Sequence, residues 1–148
     1  MKLIIIAFTA LLSVMSAKAN PTNDINVSSA VSASFNNAFK NAADVKWNTA
    51  GTYYRADFVL NGQYANAYYD GNANLIAVTR NVSSTQLPIT LQARLKAGYE
   101  QHWISDLFEV SNEEGVSYYA TVENGEGKTT LKSNGTAEWS VYRKQSKS

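Results

Sequence analysis

The sequence predicts an α+β fold made of two tandem helix-plus-antiparallel-sheet repeats. Three observations predict it. An apolar stripe at every fourth residue occurs twice, at Val31, Phe35 and Phe39 and again at Leu91, Leu95 and Tyr99. Each stripe is followed by alternating apolar and polar runs punctuated by turn residues. The two halves also superimpose on one another at a nearly constant offset.

Residues 1–19 read as an export signal. Lys2 is a short basic start, Leu3 to Met15 an apolar run, and Ala17-Lys18-Ala19 a small-residue cleavage site. The competing reading, a buried N-terminal helix, does not explain that three-part pattern. Removing these nineteen residues from 148 leaves 129, and the loss of Lys2 and Lys18 takes the net charge from +1 to −1. That length is one domain with a core of useful size. With no cysteine anywhere, an exported chain of this kind must hold together by packing. A near-neutral chain with no basic run does not suit nucleic acid, whose phosphates demand clustered Lys and Arg. No later apolar segment is long enough to span a bilayer. The expected address is the periplasm or the exterior, with cleavage after Ala19.

Residues 20–27 form a polar leader. From Ser28 the pattern is helical, with Ser28 or Ser29 as its cap and Ala38 and Ala42 on the apolar side. A strand then ends at Trp47. Tyr53 to Leu60, Asn61-Gly62 and Gln63 to Tyr69 spell a hairpin, because a type I′ turn needs positive φ at both central residues. Asp70-Gly71 is a tight turn, and Leu75 to Arg80 is a fourth strand. After a polar loop, Leu87-Pro88 opens the second helix, proline being suited to a first turn where its missing N–H is not needed. Trp103 to Val110, Val116 to Glu123, Lys128 to Lys132 and Thr136 to Tyr142 are the remaining strands, and residues 144–148 a polar tail.

An offset of 60 puts Val31 on Leu91, Phe35 on Leu95, Phe39 on Tyr99 and Trp47 on Leu107. Beyond the first hairpin the offset becomes 64, with Tyr54 on Tyr118, Ala56 on Ala120, Phe58 on Val122 and Gly71 on Gly135. An insertion at Asn112 to Gly115 accounts for the change. Two repeats follow, residues 28–82 and 84–143, within one domain. Each has an apolar helix stripe to bury against an apolar sheet face. Trp47, Phe58, Tyr69 and Leu75 are expected to fill the first interface, and Leu107, Val122, Leu131 and Trp139 the second.

At these residues the chain resembles a known family. Asp44-Val45-Lys46-Trp47, then Tyr54, Ala56 and Phe58 at alternate positions, then Ala67, Tyr69 and Asp70 before a glycine turn, then Leu87-Pro88, is similar to the PepSY-like, β-lactamase-inhibitor-like proteins exported by Bacteroidetes-type bacteria. The likeness covers residues 28 to 143. One departure is that Gly71 directly follows Asp70, which tightens or shifts the turn. The resemblance implies two helix–sheet repeats whose sheets join into one curved, largely antiparallel surface. It also implies a protein-binding role, without assigned catalytic residues.

Chemistry-bearing residues are sparse. His102 is the only histidine, and with no cysteine nothing supplies a Cys-His arrangement. Its partner in the repeat is Ala42, which fits packing or surface better than catalysis. Asp70 to Asn74 begins like a calcium loop, but the sixth and twelfth places hold Leu75 and Asn81 where glycine and glutamate are needed. Glu113, Glu114, Glu123 and Glu126 sit beside turn glycines and read as solvated charge. No catalytic residue, metal or cofactor is expected.

The remaining feature is tyrosine, nine in all. By alternation Tyr53, Tyr64 and Tyr68, and in register Tyr119 and Tyr142, lie on the sheet face turned away from the helices. Arg55 and Asp57 share that face, with Arg80, Thr121, Lys128 and Lys132 expected nearby. Tyrosine supplies large, stiff, amphipathic contact area and is enriched in recognition surfaces. Cross-strand aromatic pairing explains the same pattern without binding. The sequence therefore points to a non-catalytic binding module for an unidentified protein or peptide of the cell envelope, a hydrolase among the options. The alternative is a small-ligand carrier or sensor, with its pocket under the helices or between sheets.

Overall fold

A computed structural model describes residues 25–135 and 137–147. The segment read as an export signal and most of the leader lie outside the described residues, as do Thr136 and Ser148. The elements are α1 (Ser29–Ala38), β1 (Ala43–Ala50), β2 (Tyr53–Leu60), β3 (Gln63–Tyr69), β4 (Leu75–Asn81), a 3₁₀ turn (Ser84–Gln86), α2 (Ile89–Gly98), β5 (Trp103–Asn112), β6 (Gly115–Glu123), β7 (Gly127–Ser133) and β8 (Ser140–Ser146). The eight strands make one antiparallel sheet in chain order, β1 to β8, so the class is α+β. Two compact units divide between Ile76 and Ala77. Among the described residues no helix is long and apolar enough to cross a membrane.

In the first unit, Ser28 caps α1 by accepting a hydrogen bond from the Val31 N–H at 3.3 Å. The stripe buries Val31 and Phe35 completely, and Phe35 is the hub of an aromatic core. Its ring centroid lies 5.0 Å from Phe58, 5.2 Å from Phe39, 5.3 Å from Trp47 and 6.5 Å from Tyr69. The Phe58, Trp47 and Tyr69 contacts are edge-on, the geometry that ring quadrupoles favour. Asn61 (φ 51°) and Gly62 (φ 79°) form the expected left-handed pair between β2 and β3. Asp70 closes the next turn by accepting from the Asn72 and Asn74 N–H groups at 2.9 Å, and the Asn74 side chain and backbone bonds hold its carboxyl below the usual range. One expectation fails here and another is met only in part. Leu75 is 37 % exposed, because Phe35, Phe58 and Tyr69 already fill the space under α1. Trp47 is only half-buried on edge strand β1, which has a sheet neighbour on one side alone.

In the second unit the core is aliphatic: Leu87, Leu91, Leu95, Leu107, Ala120, Val122 and Leu131 pack together, with Tyr99, Tyr118 and Trp139 against them. Pro88 stands at the cap, one place before the helix begins. The last strand is displaced from the expected Thr136 to Tyr142, starting only at Ser140. The Trp139 indole N–H donates to the Leu91 carbonyl at 3.0 Å, fastening this segment to α2 ahead of the ladder. The β5–β6 ladder runs to its turn, with Asn112 paired to Gly115 across two residues.

The ends of the two helices match bond for bond. Phe39 N–H donates to Phe35 C=O and Ala42 N–H to Phe39 C=O; Tyr99 to Leu95 and His102 to Tyr99 repeat both, sixty residues on. Trp47 pairs with Ala56, and Leu107 with Ala120.

Candidate binding face

Strand alternation assigns the faces. In the first unit Trp47, Ala56, Phe58 and Tyr69 face α1, so Asn48, Arg55, Asp57, Asn66 and Tyr68 stand on the opposite, open face. Arg55 pairs in register with Asn48 on one side and Tyr68 on the other. The Asp57 carboxylate collects three contacts: Arg55 Nη2 at 2.9 Å, Arg55 Nε at 2.7 Å and the Asn48 amide at 2.8 Å. Burial opposes the charge on Arg55, but its bond to Asp57 and that carboxylate's charge outweigh it and keep the guanidinium firmly protonated. Two side chains two residues apart on one strand are thereby locked to each other. Their exposures of 25 % and 33 % leave the pair reachable from outside.

The five tyrosines divide. Tyr64 is 78 % exposed, while Tyr53 and Tyr142 are half-buried. Tyr68 and Tyr119 are buried, against expectation, at about 1 % exposure each. For Tyr119 the cause is visible: its ring stacks on Phe108 at 5.2 Å and 8°, takes the edge of Tyr142 at 5.5 Å, and lies under the Lys132 ammonium at 5.5 Å. Burial, with a contribution from Tyr142, pushes its phenol well above the ordinary range, so it stays neutral. Alternation placed this ring on the open face correctly, but a face can be open to the helices and still be covered by its own side chains.

Two other residues singled out in the sequence find partners. Arg80 pairs in register with Glu109 in a two-pronged ion pair of 2.9 and 3.0 Å, with Tyr118 next to that carboxylate across the β5–β6 ladder. Glu123 is buried rather than solvated: its carboxylate meets Lys128 at 2.8 Å, its direct partner across β6 and β7. Hydrogen bonds from Lys128 and then Ser105 hold that carboxyl below the usual range. A lowered carboxyl contributes stability above its unfolded value and loses it as pH falls through the folded one. In acid titrations followed by thermal melting, the difference between wild type and Glu123→Gln is therefore expected at neutral pH, fading below the carboxylate range.

Sequence reasoning missed Asn48 and the Glu123–Lys128 pair. Both had a signal: Asn48 follows an inward Trp47, and Glu123 and Lys128 flank a hairpin turn at equal distance. His102 packs its ring edge-on against Tyr99 at 5.2 Å, with the exposed Glu100 nearby in the chain. Among the described residues no three His, Cys, Asp or Glu side chains converge on one point.

Solved structures share this architecture. A BLIP-like protein of Bacteroides fragilis aligns with a TM-score of 0.71 at 23 % identity, over 82 % of this chain and 87 % of its own. A DUF2874 family protein of Bacteroides uniformis gives 0.73 at 20 %, over 82 % and 90 %. A Bacteroides eggerthii protein provisionally described as periplasmic gives 0.73 at 18 %, over 82 % and 90 %. The chain has a BLIP-like fold. No family model matches the sequence, and no curated protein does. The family likeness read from residues 28 to 143 thus agrees with the BLIP-like structures, and at these identities what is shared is the fold.

Proposed function

We propose that this chain is an exported, non-catalytic module that binds a protein or peptide through the open face of its BLIP-like sheet. The observation that carries the reading is the Asn48–Asp57–Arg55 cluster, a charged group already fixed in place beside the accessible rings of Tyr53 and Tyr64. A locked polar group costs little further ordering when a partner arrives. Aromatic side chains beside it supply the area that dominates binding energy. Tyr68 serves as a support beneath this surface, and within the second unit Tyr119 plays the same part beneath Tyr142. A partner with an accessible acidic or amide group would meet Arg55, and one with a donor would meet Asp57. A hydrolase bound and inhibited this way is one such partner.

The doubled helix ends and ladder positions support an origin by duplication of one helix-plus-sheet unit. Export is supported by the three-part N-terminal pattern and by the periplasmic description of a structural relative.

The test is crosslinking and mass spectrometry in periplasmic extract with wild type and a Tyr53→Ser, Tyr64→Ser double variant. Both positions are surface-accessible, so the fold should survive, as circular dichroism would verify. The expected result is at least about a tenfold loss of specific partner, since two contact tyrosines carry on the order of 1–2 kcal/mol or more. Full retention by a folded variant rules out this face as the site.

A further inference from the structure

A cavity of about 580 Å³ opens beside α2, wholly within the second unit. Its floor is apolar, made by Leu95 and Val122, which belong to the core. Its rim carries Ile89 at 81 % exposure and Ile104 at 41 %, aliphatic surface that nothing covers among the described residues. Ile104 pairs in register with Val122, so it stands on the helix side of the sheet and forms one wall. Against this apolar body sit Ser84, Gln92 and Tyr99 and three ionisable groups of different kinds, Lys96, Glu100 and His102. Neither Lys96 nor Glu100 has an ion-pair partner among the described residues. The His102 Nδ1 is sealed from water and has no hydrogen-bond partner there either.

We infer that this cleft binds a short apolar peptide with free termini, of two or three residues. The volume lies in the range of small-molecule sites, which join apolar walls to a few placed polar groups. Charge complementarity selects the class. A simple fatty acid would satisfy Lys96 but set its carboxylate near Glu100; a cationic amphiphile would do the reverse with Lys96. A zwitterion matches both, its carboxylate to Lys96 and its ammonium to Glu100. Leucine-like side chains between those ends cover Ile89 and Ile104. Rotation of the His102 ring turns its unpartnered nitrogen toward the cleft, where a peptide group completes the bond. This site is independent of the open face, and either can fail without the other.

The probe is the dipeptide Leu-Leu, titrated into isotopically labelled protein and followed by amide chemical shifts. Saturable shifts at Ala93, Lys96, His102 and Ile104 are expected. Lys96→Met and Glu100→Gln should each weaken binding about threefold to fivefold, the range for partly exposed ion pairs. N-acetylated and C-amidated Leu-Leu should show matching losses. Both positions, and Ile104 in a further Ile104→Ser variant expected to weaken binding, are exposed, so folding is retained and verifiable by circular dichroism. The inference is overturned by any of three outcomes: no saturable shift at millimolar peptide, equal affinity for the blocked peptides, or decanoate binding as tightly as Leu-Leu.

Discussion

Phe35→Ala is expected to destabilise the protein by about 3–5 kcal/mol, the cost of emptying a fully buried aromatic site. Four rings, from the C-cap of α1 and from β1, β2 and β3, close on this one side chain. Removing it leaves a void whose walls are rigid planes, poor at collapsing inward. The helix itself gains, since alanine is the best helix former, so the measured loss understates the packing contribution. Thermal melting should show the midpoint falling by about 10 °C or more. Trp47→Ala makes the useful comparison. Its ring touches Phe35 and Tyr69 but is half open to water, so a loss of about 1–3 kcal/mol is expected. If the two variants melted together, Phe35 would not be the hub of this unit.

Leu91→Ala is expected to cost about 2–5 kcal/mol in the second unit. Leu91 is completely buried among Leu87, Leu95, Leu107 and Val122. Its backbone carbonyl would still accept the Trp139 indole bond, so the measured change reports the side chain alone. These aliphatic walls have more rotamer freedom than the rings under α1, and partial collapse should place the value below that of Phe35→Ala. Denaturant unfolding with an unchanged slope would support a pure loss of packing. A loss under about 1 kcal/mol would mean that the aliphatic cluster is not a continuous core.

Much of this architecture could be read from local chemistry. Asn61-Gly62 fixed a hairpin and its register because few residue pairs adopt two left-handed conformations in succession, and the structure gives φ of 51° and 79° there. The helix stripes were legible because Val31, Phe35, Leu91 and Leu95 recur at a spacing no strand can share. Burial was less legible. Alternation tells which side of a sheet a residue takes, and it sided Tyr68 and Tyr119 correctly. It is silent on how many neighbours crowd that side, so both rings proved covered. Trp139 fell outside its expected strand because one long-range hydrogen bond, forty-eight residues away in sequence, outranked local propensity. The Asn48–Asp57–Arg55 cluster depends on which strands lie side by side, which only cross-strand register reveals.

The two outermost strands carry a further consequence. β1 is interrupted between Ala43 and Lys46, where Asp44 adopts φ 53°, and β8 is interrupted opposite Thr130 and Leu131 while exposing Arg143 and Lys144. Such irregular, charged borders are poor templates for strand addition. Two copies meeting along β8 would bring like charges together, and two meeting along β1 would find a broken ladder. Crowded molecules of this chain should therefore resist zipping into fibrils, even though every strand between those borders is well suited to continue a sheet.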